Sequence, residues 1–433
     1  MGGISDGVRI RDIEYHPLPS QKRFHESAAR FKGFSGPIGS GKSQALCHEA
    51  IRLTYLNPGR LGLIGAPTYP MLRDATLASY GDILHANRIP YEYNKAENLL
   101  TMKDTGSRIL FRSLDEFERL RGTNLAWFGV DELTYTAEAA WLRLVGRLRD
   151  PLAGRLCGFA VWTPKGYDWV YRRFVKDPVD GYAAVIAAPF ENWHLLHKVP
   201  DFYERLKRSY DARFFEQEAL GAYLSLNSGL VYHAFDREVN VRKVTFDPML
   251  PLLWALDFNV NPMSSVIVQN RGELLAVIDE IVLSGASTQE ACDEFQARYP
   301  SLAAGVVVYG DASGNARQTT GLSDYAVVRE FFCRQGYRNA RFKVPTSNPG
   351  VRDRVTLMNT QLKAADGAVR MVVDPRCREL IQDFEEVTFK PESSVIDKDR
   401  DPKRSHLSDA LGYLVWQECR KQPPFGEQQQ RLL

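Results

Sequence analysis

The stretch that most constrains this chain is residues 36–43, GPIGSGKS, which fits the phosphate-binding pattern G-x-x-x-x-G-K-[ST] at every fixed position. A short strand is predicted before it at 31–35, and a helix with an apolar stripe is predicted after it at 43–56. Glycines let backbone N–H groups curl around phosphate oxygens, and the helix N-terminus adds partial positive charge. The stretch therefore predicts a nucleotide-binding loop, although a glycine-rich turn ahead of a helix is the plainer alternative.

Each residue type in this loop has a predicted task. Lys42 is expected to reach the β- and γ-phosphates, and the Ser43 hydroxyl is expected to bind Mg²⁺. The backbone that holds the phosphates is predicted to come from Gly36, Gly39, Ser40 and Gly41.

A pair of carboxylates, Asp131 and Glu132, follows the apolar run 125–130, which is predicted as a buried strand. In open parallel sheets, ligands bind at the carboxyl ends of strands. Asp131 is predicted to hold the Mg²⁺ shell and Glu132 to polarise the attacking water. Acidic residues also suit the start of a helix. The phosphate-binding pattern upstream favours the hydrolytic interpretation.

Four further residues have two interpretations each. The amide of Gln21 suits an adenine edge, or else Ser20 beside it caps a helix. Arg119 and Arg121 are candidates for an arginine finger in a neighbouring subunit, or they form a solvated basic turn. Thr163, at the tip of a predicted strand, is a candidate sensor of the γ-phosphate, or it is a plain exit from that strand.

The first half of the chain is predicted to be an α/β domain with a parallel sheet. Its strands are expected at 31–35, 61–65, 108–112, 125–130, 158–162 and 183–188. Residues 202–224 are predicted as one amphipathic helix within a small helical lid or linker.

The second half is predicted to be a mixed sheet with helices on its faces. Its strands are expected at 252–257, 264–269, 274–278, 305–311, 341–344 and 369–373, and its helices at 288–299, 325–335, 352–365 and 406–420.

Three carboxylates in this half suit two-metal phosphodiester hydrolysis, in which clustered carboxylates hold two Mg²⁺ ions. Asp257 and Asp311 end predicted strands, and Asp409 lies in the first turn of the last helix. Glu280 and His406 are possible accessory residues. Each aspartate alone also suits an ordinary turn or helix start.

The polar segment 390–404 leads into Asp409 and contains Lys390, Lys398, Arg400, Lys403 and Arg404. Together with Lys343 and Lys363, it is a candidate for contacting DNA phosphates, or it is a solvated loop.

Composition limits the classes of protein that remain. A length of 433 residues suggests two or three domains, and a net charge of +2 means that any nucleic-acid surface must be local. The six cysteines form no C-x-x-C pair, which argues against zinc and disulfides and suits a reducing compartment. No signal-peptide core or membrane-spanning run is visible, so we expect a soluble intracellular protein without membrane partners.

In combination, these motifs resemble the large terminase subunit of tailed bacteriophages. The resemblance extends from about residue 17 to residue 419 and is carried by Gln21, residues 36–43, the pair Asp131-Glu132, the stretch from Thr163, and the three aspartates. It implies an N-terminal P-loop ATPase domain of the RecA/ASCE type (1–190), a helical lid or linker (191–245), an RNase H-like nuclease domain (246–420) and a disordered tail (421–433).

The resemblance also implies an activity and partners. It implies an ATP-driven ring, expected to be a pentamer on the portal protein, which pumps double-stranded DNA into a procapsid in the host cytoplasm. It implies a nuclease that uses Mg²⁺ or Mn²⁺ at Asp257, Asp311 and Asp409 to cut concatemers, and a small terminase subunit that selects the DNA. Arg121 matches the position of the trans-acting arginine, with Arg119 as its rival, and His406 matches a histidine of some family members.

Two other classes of function compete with this one. The first is a DNA helicase or translocase whose C-terminal domain binds DNA without cutting it. The second is an integrase- or transposase-like recombinase attached to an ATPase.

Overall fold

The computed structural model describes residues 4–5, 8–9, 12–120, 122–224, 229–259, 261–316, 321–337, 340–390 and 395–419. The chain divides into two compact units. The first consists of Met1–Tyr203 and Glu216–Ser225, and the second of Glu204–Phe215 and Leu226–Leu433. The predicted boundaries at residues 190, 245 and 420 stay a prediction, and the predicted tail lies outside the described residues.

The first unit alternates strands and helices. Its strands are β1 (Ile4–Ser5), β2 (Val8–Arg9), β3 (Phe31–Ser35), β4 (Leu61–Ala66), β5 (Tyr91–Asn94), β6 (Leu99–Met102), β7 (Arg108–Ser113), β8 (Trp127–Val130), β9 (Cys157–Trp162) and β10 (Tyr182–Ile186). Its helices are α1 (Pro19–Glu26), α2 (Lys42–Leu56), α3 (Tyr69–Met71), α4 (Ala78–Ala86), α5 (Glu138–Val145), α6 (Trp169–Tyr171) and α7 (Trp193–Lys198). Two π-helical turns, Leu72–Leu77 and Arg172–Lys176, follow α3 and α6, and short 3₁₀ turns lie at Phe117–Leu120 and Leu133–Tyr135.

Eight of these strands form one sheet in the order β10-β3-β9-β8-β4-β7-β6-β5. The six strands from β10 to β7 are parallel, and β6 and β5 continue the sheet as an antiparallel hairpin. The predicted parallel sheet is therefore confirmed. Because β8 and β9 are direct neighbours and β9 adjoins β3, the carboxyl ends of these three strands meet beside the loop that follows β3.

Two helices contain residues of both units, α8 (Phe202–Ser209) and α9 (Ala212–Glu218). The single helix predicted over 202–224 is therefore wrong. Asp211 explains the break, because its side chain accepts a hydrogen bond from the Phe214 N–H at 3.1 Å and so starts a new helix as an N-cap.

The second unit contains strands β11 (Leu252–Asp257), β12 (Met263–Asn270), β13 (Leu275–Leu283), β14 (Val306–Gly310), β15 (Arg341–Phe342) and β16 (Met371–Val373). Its helices are α10 (Arg237–Asn240), α11 (Thr288–Arg298), α12 (Asp324–Arg334), α13 (Val351–Leu362), α14 (Arg378–Glu386) and α15 (His406–Cys419), with a 3₁₀ turn at Ala312–Asn315.

These six strands form a mixed sheet in the order β15-β14-β11-β12-β13-β16. The pairs β11–β12 and β12–β13 are antiparallel, whereas β14 runs parallel to both β11 and β15, and β16 runs parallel to β13. The predicted mixed sheet is confirmed, and the order 5-4-1-2-3 of its first five strands is that of an RNase H-like fold.

The alternation of side chains along β11 and β14 determines on which face of the sheet the aspartate at each strand end lies. Leu253 and Ala255 of β11 lie in the core shared with α13, α14 and α15, whereas Leu252, Trp254 and Leu256 lie in the core shared with α11 and α12. Since side chains alternate along a strand, Asp257 belongs to the α15 face. Tyr309 of β14 lies in the same core as Ala255, so Asp311 belongs to the α15 face too.

The structure contains elements that the sequence did not predict. The hairpin of β5 and β6 and the helix α14 have no counterpart among the predicted elements. Helix α1 begins at Pro19 with Leu18 as its N-cap, so the alternative of a cap at Ser20 is wrong, because proline at the first helical position sets the start two residues earlier. Among the described residues, no helix combines the length and apolarity that a membrane span requires.

Candidate functional site

The loop between β3 and α2 has the geometry of a phosphate cradle. Gly39 and Gly41 both have φ of +79°, in the left-handed region that only glycine adopts readily. Lys42 is buried, and its ammonium donates to the carbonyls of Gly36 at 3.1 Å and Pro37 at 3.0 Å. The loop thus curls around its own lysine, whose charge is held where a phosphate would bind.

The acidic pair lies at the end of β8, beside this loop. Asp131 is buried, and burial, followed by the charge of Glu132, raises the pKa of Asp131 to about 6, although Lys42 is near enough for its charge to oppose that rise. Thr76 donates its hydroxyl to Asp131 Oδ2 at 2.7 Å, and the Glu132 N–H donates to Asp131 Oδ1 at 3.1 Å. Both oxygens of Asp131 are therefore oriented by fixed donors.

Glu132 and Thr163 lie together across the neighbouring strand ends. The Thr163 N–H donates to Glu132 Oε2 at 3.3 Å, and its hydroxyl lies 3.5 Å from Oε1. Glu132 also adopts a left-handed backbone conformation, with φ of +46°, which strains a residue with a side chain. Such strain is typical of functional sites, and here it turns the carboxylate toward the tip of β9.

Gln21 contacts the loop rather than pointing freely into a pocket. Its side-chain oxygen accepts the Leu18 N–H at 2.8 Å, and its amide nitrogen donates to the Gly41 carbonyl at 2.9 Å. The amide thus connects α1 to the phosphate loop. Its predicted contact with adenine stays a prediction.

Sequence reasoning missed residues near α7 and α9 that contact the loop. Asn192 donates its amide to the Gly39 carbonyl at 2.6 Å, and the Ile38 N–H donates to the Glu218 carbonyl at 2.7 Å. It also missed Thr76, on the π-helical turn. No motif marks such residues, because their contacts depend on folding that brings distant segments together.

The two candidate arginine fingers, Arg119 and Arg121, flank Leu120. Arg121 lies outside the described residues. The backbone of Arg119 belongs to the 3₁₀ turn Phe117–Leu120, and its side chain is not described.

In the second unit, the three predicted aspartates converge on the α15 face. Leu256 is registered with Gly310, so Asp257 and Asp311 follow at the adjacent ends of β11 and β14. Burial raises the pKa of Tyr413 to about 12, with Arg354 lowering it and the charges of all three aspartates raising it. The side chain of Tyr413 on α15 therefore lies near enough to all three carboxylates for their charges to raise its pKa.

The aspartates differ in their partners. Asp257 Oδ2 lies 2.8 Å from His406 Nδ1 and accepts the Asn259 amide at 2.7 Å, and the bond to Asp257 raises the pKa of His406. Asp311 Oδ2 accepts the Ser313 hydroxyl, whereas its buried Oδ1 has no hydrogen-bond partner among the described residues.

Asp409 is paired with two cations. Arg354 lies 2.8 Å from Oδ1, and Lys398 donates to Oδ2 at 2.8 Å. Lys398 belongs to the basic segment for which the sequence left DNA contact and a solvated loop as alternatives, whereas Arg354 had no predicted role. Glu280, the other predicted accessory, accepts the N–H groups of Glu379 and Leu380, each at 2.9 Å, and so caps α14.

The residues of this face fit a divalent cation in chemistry. Carboxylates are the ligands that Mg²⁺ and Mn²⁺ prefer, and the partnerless buried oxygen of Asp311 is the kind of atom that a metal would satisfy. Among the described residues, however, no group of three His, Cys, Asp or Glu side chains is arranged closely enough to hold a metal ion. Each oxygen of Asp409 lies 2.8 Å from a cation, and Oδ1 accepts no hydrogen bond among the described residues.

Comparisons with known proteins give consistent results. Residues 34–239 match the family model described as terminase large subunit, T4likevirus-type, N-terminal. The large terminase of the thermophilic bacteriophage D6E (crystal form 2) has a TM-score of 0.66 and 16% sequence identity, covering 93% of this chain and 100% of that one. A search of curated proteins found no match.

Two further structures of the D6E protein contain nucleotides. Its complex with ADP matches with a TM-score of 0.63 at 16% identity, and its complex with ATP-gamma-S with a TM-score of 0.63 at 17% identity. Each match covers 93% of this chain and 99% of that one.

Proposed function

Because this chain has the N-terminal domain of a terminase large subunit over residues 34–239 and the two-domain fold of phage large terminases over most of its length, we propose that it is a DNA-packaging ATPase and nuclease. In this proposal it hydrolyses ATP to drive double-stranded DNA into a procapsid, and it cuts concatemeric DNA with Mg²⁺ or Mn²⁺. The observation that carries it is that Asp131 lies close enough to both Lys42 and Glu132 for their charges to shift its pKa.

For ATP hydrolysis, the cradle of residues 36–43 holds the phosphates and Lys42 neutralises their charge. Ser43 and Asp131 are the residues that would hold Mg²⁺, which supplies positive charge to the β- and γ-phosphates when bound. Glu132 orients the attacking water. Gln21 is the proposed adenine contact, and the ADP and ATP-gamma-S complexes of the D6E protein support a nucleotide as ligand.

Thr163 is the proposed link between hydrolysis and movement. Its N–H and hydroxyl both face the Glu132 carboxylate, so a change at the γ-phosphate that moves Glu132 also changes the tip of β9. Arg121 of a neighbouring subunit is proposed to complete the site, with Arg119 as the alternative.

For DNA cleavage, Asp257, Asp311 and Asp409 are the proposed metal ligands. These three carboxylates would hold the metal, which when bound would supply positive charge to the phosphodiester and to the attacking water. Asn259 and His406 orient Asp257, and the free Oδ1 of Asp311 is available for the metal.

We place the protein in the host cytoplasm, as a ring of five copies that works with the portal protein and a small terminase subunit.

A translocase with a non-cleaving C-terminal domain is the second candidate. The pairing of Asp409 with Arg354 and Lys398 favours it, because a carboxylate neutralised by two cations resembles a structural ion pair more than an open metal ligand.

One experiment on the full chain tests both candidates. DNA-stimulated ATP hydrolysis and metal-dependent plasmid cleavage are measured for the wild type, Glu132→Gln and Asp257→Asn. Glu132→Gln should lower ATP hydrolysis by a factor of about 10² to 10⁴, typical for a lost general base, and leave cleavage intact. Asp257→Asn should lower DNA cleavage and leave ATP hydrolysis intact. Undiminished hydrolysis in Glu132→Gln would refute the ATPase assignment, and a wild type that hydrolyses ATP but cuts no DNA with either metal would favour the second candidate.

A further inference from the structure

The two oxygens of the Asp409 carboxylate are held by cations of very different burial. Arg354, 2.8 Å from Oδ1, has a side chain that is 7% exposed, and the Asp409 side chain is 6% exposed. Lys398, 2.8 Å from Oδ2, has a side chain that is 51% exposed. One oxygen is therefore paired in the interior, and the other is paired with a side chain that reaches in from solvent.

Arg354 cannot leave its position without disturbing the interior. It also donates to the Asp409 carbonyl at 3.0 Å, and its guanidinium lies 4.4 Å from the centre of the Tyr413 ring. The absence of a side chain at Gly412 leaves room for Arg354, because a Cβ at that position would lie 2.9 Å from Arg354 Cδ. Since breaking a buried ion pair leaves an uncompensated charge, Arg354 stays beside Oδ1, although Oδ1 accepts no hydrogen bond among the described residues.

Lys398 has an anchored backbone and a side chain that is half-exposed to solvent. Ile396, two residues before it, is buried in the core with α15 and forms a bridge with Phe389. The ammonium is a flexible point charge with three donors and no fixed geometry. Because the Lys398 side chain is half-exposed, its ammonium can return to water, so of the two contacts the Lys398–Oδ2 contact is the one that another ligand displaces more easily.

A cation on Oδ2 has a direct consequence for metal binding. It uses the lone pairs that a divalent ion needs, and its positive charge repels that ion. Because the fixed guanidinium of Arg354 lies 2.8 Å from Oδ1 and repels a divalent ion there, Oδ2 is the oxygen of Asp409 through which this carboxylate can join Asp257 and Asp311 once Lys398 leaves.

We propose that Lys398 is a DNA-phosphate-binding side chain that, in the absence of DNA, occupies Oδ2 of Asp409 and keeps the metal site incomplete. A phosphate offers the ammonium a stronger, more exposed partner, so DNA in the site withdraws Lys398 and frees Oδ2 for the metal. Metal loading is thereby coupled to DNA occupancy. This inference rests on the proposed nuclease function and names the residue that restrains it.

The test measures metal binding rather than cleavage. Mn²⁺ is titrated calorimetrically into the full chain without DNA, and the signal of Asp257→Asn is subtracted as background. Lys398→Met should bind Mn²⁺ about two- to five-fold more tightly than the wild type, the range expected for an ion pair with one solvent-exposed partner. Lys390→Met is the matched control, because Lys390 is 41% exposed and pairs with Asp399 at 2.6 Å in the same segment. It should bind Mn²⁺ like the wild type.

A short DNA duplex provides the second readout. It should tighten Mn²⁺ binding in the wild type but not in Lys398→Met, and the variant should lower the salt dependence of DNA binding by about one phosphate contact. Equal Mn²⁺ affinity in the wild type and Lys398→Met, or equal tightening of both by DNA, would overturn this inference alone. If no variant binds more Mn²⁺ than Asp257→Asn, the proposed metal site itself is wrong.

Discussion

At the scale of single residues, the buried carboxylate of Glu49 shows how several partners can retain a charge in the interior. Glu49 of α2 is fully buried, and its carboxylate lies 2.7 Å from His25, 2.8 Å from Lys32 and 3.2 Å from Arg52. Burial would raise the pKa of Glu49, but the hydrogen bond with His25 and the charge of Lys32 hold it below its ordinary value. An ionised Glu49 thus ties α2 to β3 behind the phosphate loop.

His48, the neighbour of Glu49, should make the stability of this unit depend on pH. Its ring stacks on Tyr15 at 3.6 Å, and burial, followed by the charge of His25, lowers the pKa of His48 to about 4. Because the folded-state pKa is below the unfolded value of about 6.5, the unfolded state takes up the proton first. This stability is present at pH 7 and is lost as pH falls from about 6.5 toward 4.

His48→Gln is expected to remove about 1–2 kcal/mol of the difference between the unfolding free energies at pH 7 and pH 5. Urea unfolding of the full chain at both pH values measures it, with the transition of the first unit followed. His85→Gln is the control, because His85 is exposed on α4. An unchanged pH dependence in His48→Gln would contradict the assignment.

At the scale of elements, the phosphate loop depends on glycine for two separate reasons. Gly39 lies in this loop, whereas Gly59 lies in the turn after α2 and serves as a comparison. Both have positive φ, of +79° and +74°. A Cβ on Gly39 would lie 2.7 Å from Leu195 Cδ2, whereas a Cβ on Gly59 would meet nothing within 4 Å. The two positions therefore separate the cost of a left-handed backbone from the cost of crowding.

Gly59→Ala is expected to destabilise the first unit by about 1–2 kcal/mol, the cost of a left-handed alanine. Gly39→Ala adds overpacking against α7 and should cost about 2–4 kcal/mol. It should also weaken ADP binding about tenfold or more, since the cradle is displaced. Thermal unfolding and ADP titration measure these effects. Equal effects of the two substitutions would show that the contact with Leu195 contributes nothing.

At the scale of the whole molecule, each unit has its own sheet and its own cores. In the first unit, apolar side chains pack on both faces of the sheet, and the same is true of the second. A unit with a complete core can unfold as a cooperative block.

Calorimetry of the full chain should therefore resolve two unfolding transitions, of which ADP shifts only one. At a free concentration of about 100 times its dissociation constant, ADP should stabilise the first unit by about 2.7 kcal/mol. Lys42→Ala should lose that shift while retaining both transitions. A single transition that ADP shifts as a whole would contradict the division into independently folding units.

The sequence by itself determined the features that depend on local chemistry. The strand Phe31–Ser35, the glycine loop and the helix after it follow from periodicity and from the φ values that glycine allows, and the strand Leu252–Asp257 was predicted with its observed ends. The fold class of both halves followed from the order of such elements. Edge elements such as β5 were missed because the sequence YEYN is polar and mostly exposed, and so lacks an apolar pattern.

Only the tertiary structure decided which side chains hold the site residues. Thr76 reaches Asp131 across 55 positions, Arg354 reaches Asp409 across 55 and Lys398 reaches it across 11, and no periodicity encodes these meetings. Glu280 seemed free to join the metal site from its sequence position, but folding brings the N-terminus of α14 onto it. The reason is physical: a buried carboxylate must be satisfied by whatever donors the folded chain brings near it, and that choice is made by packing over long separations.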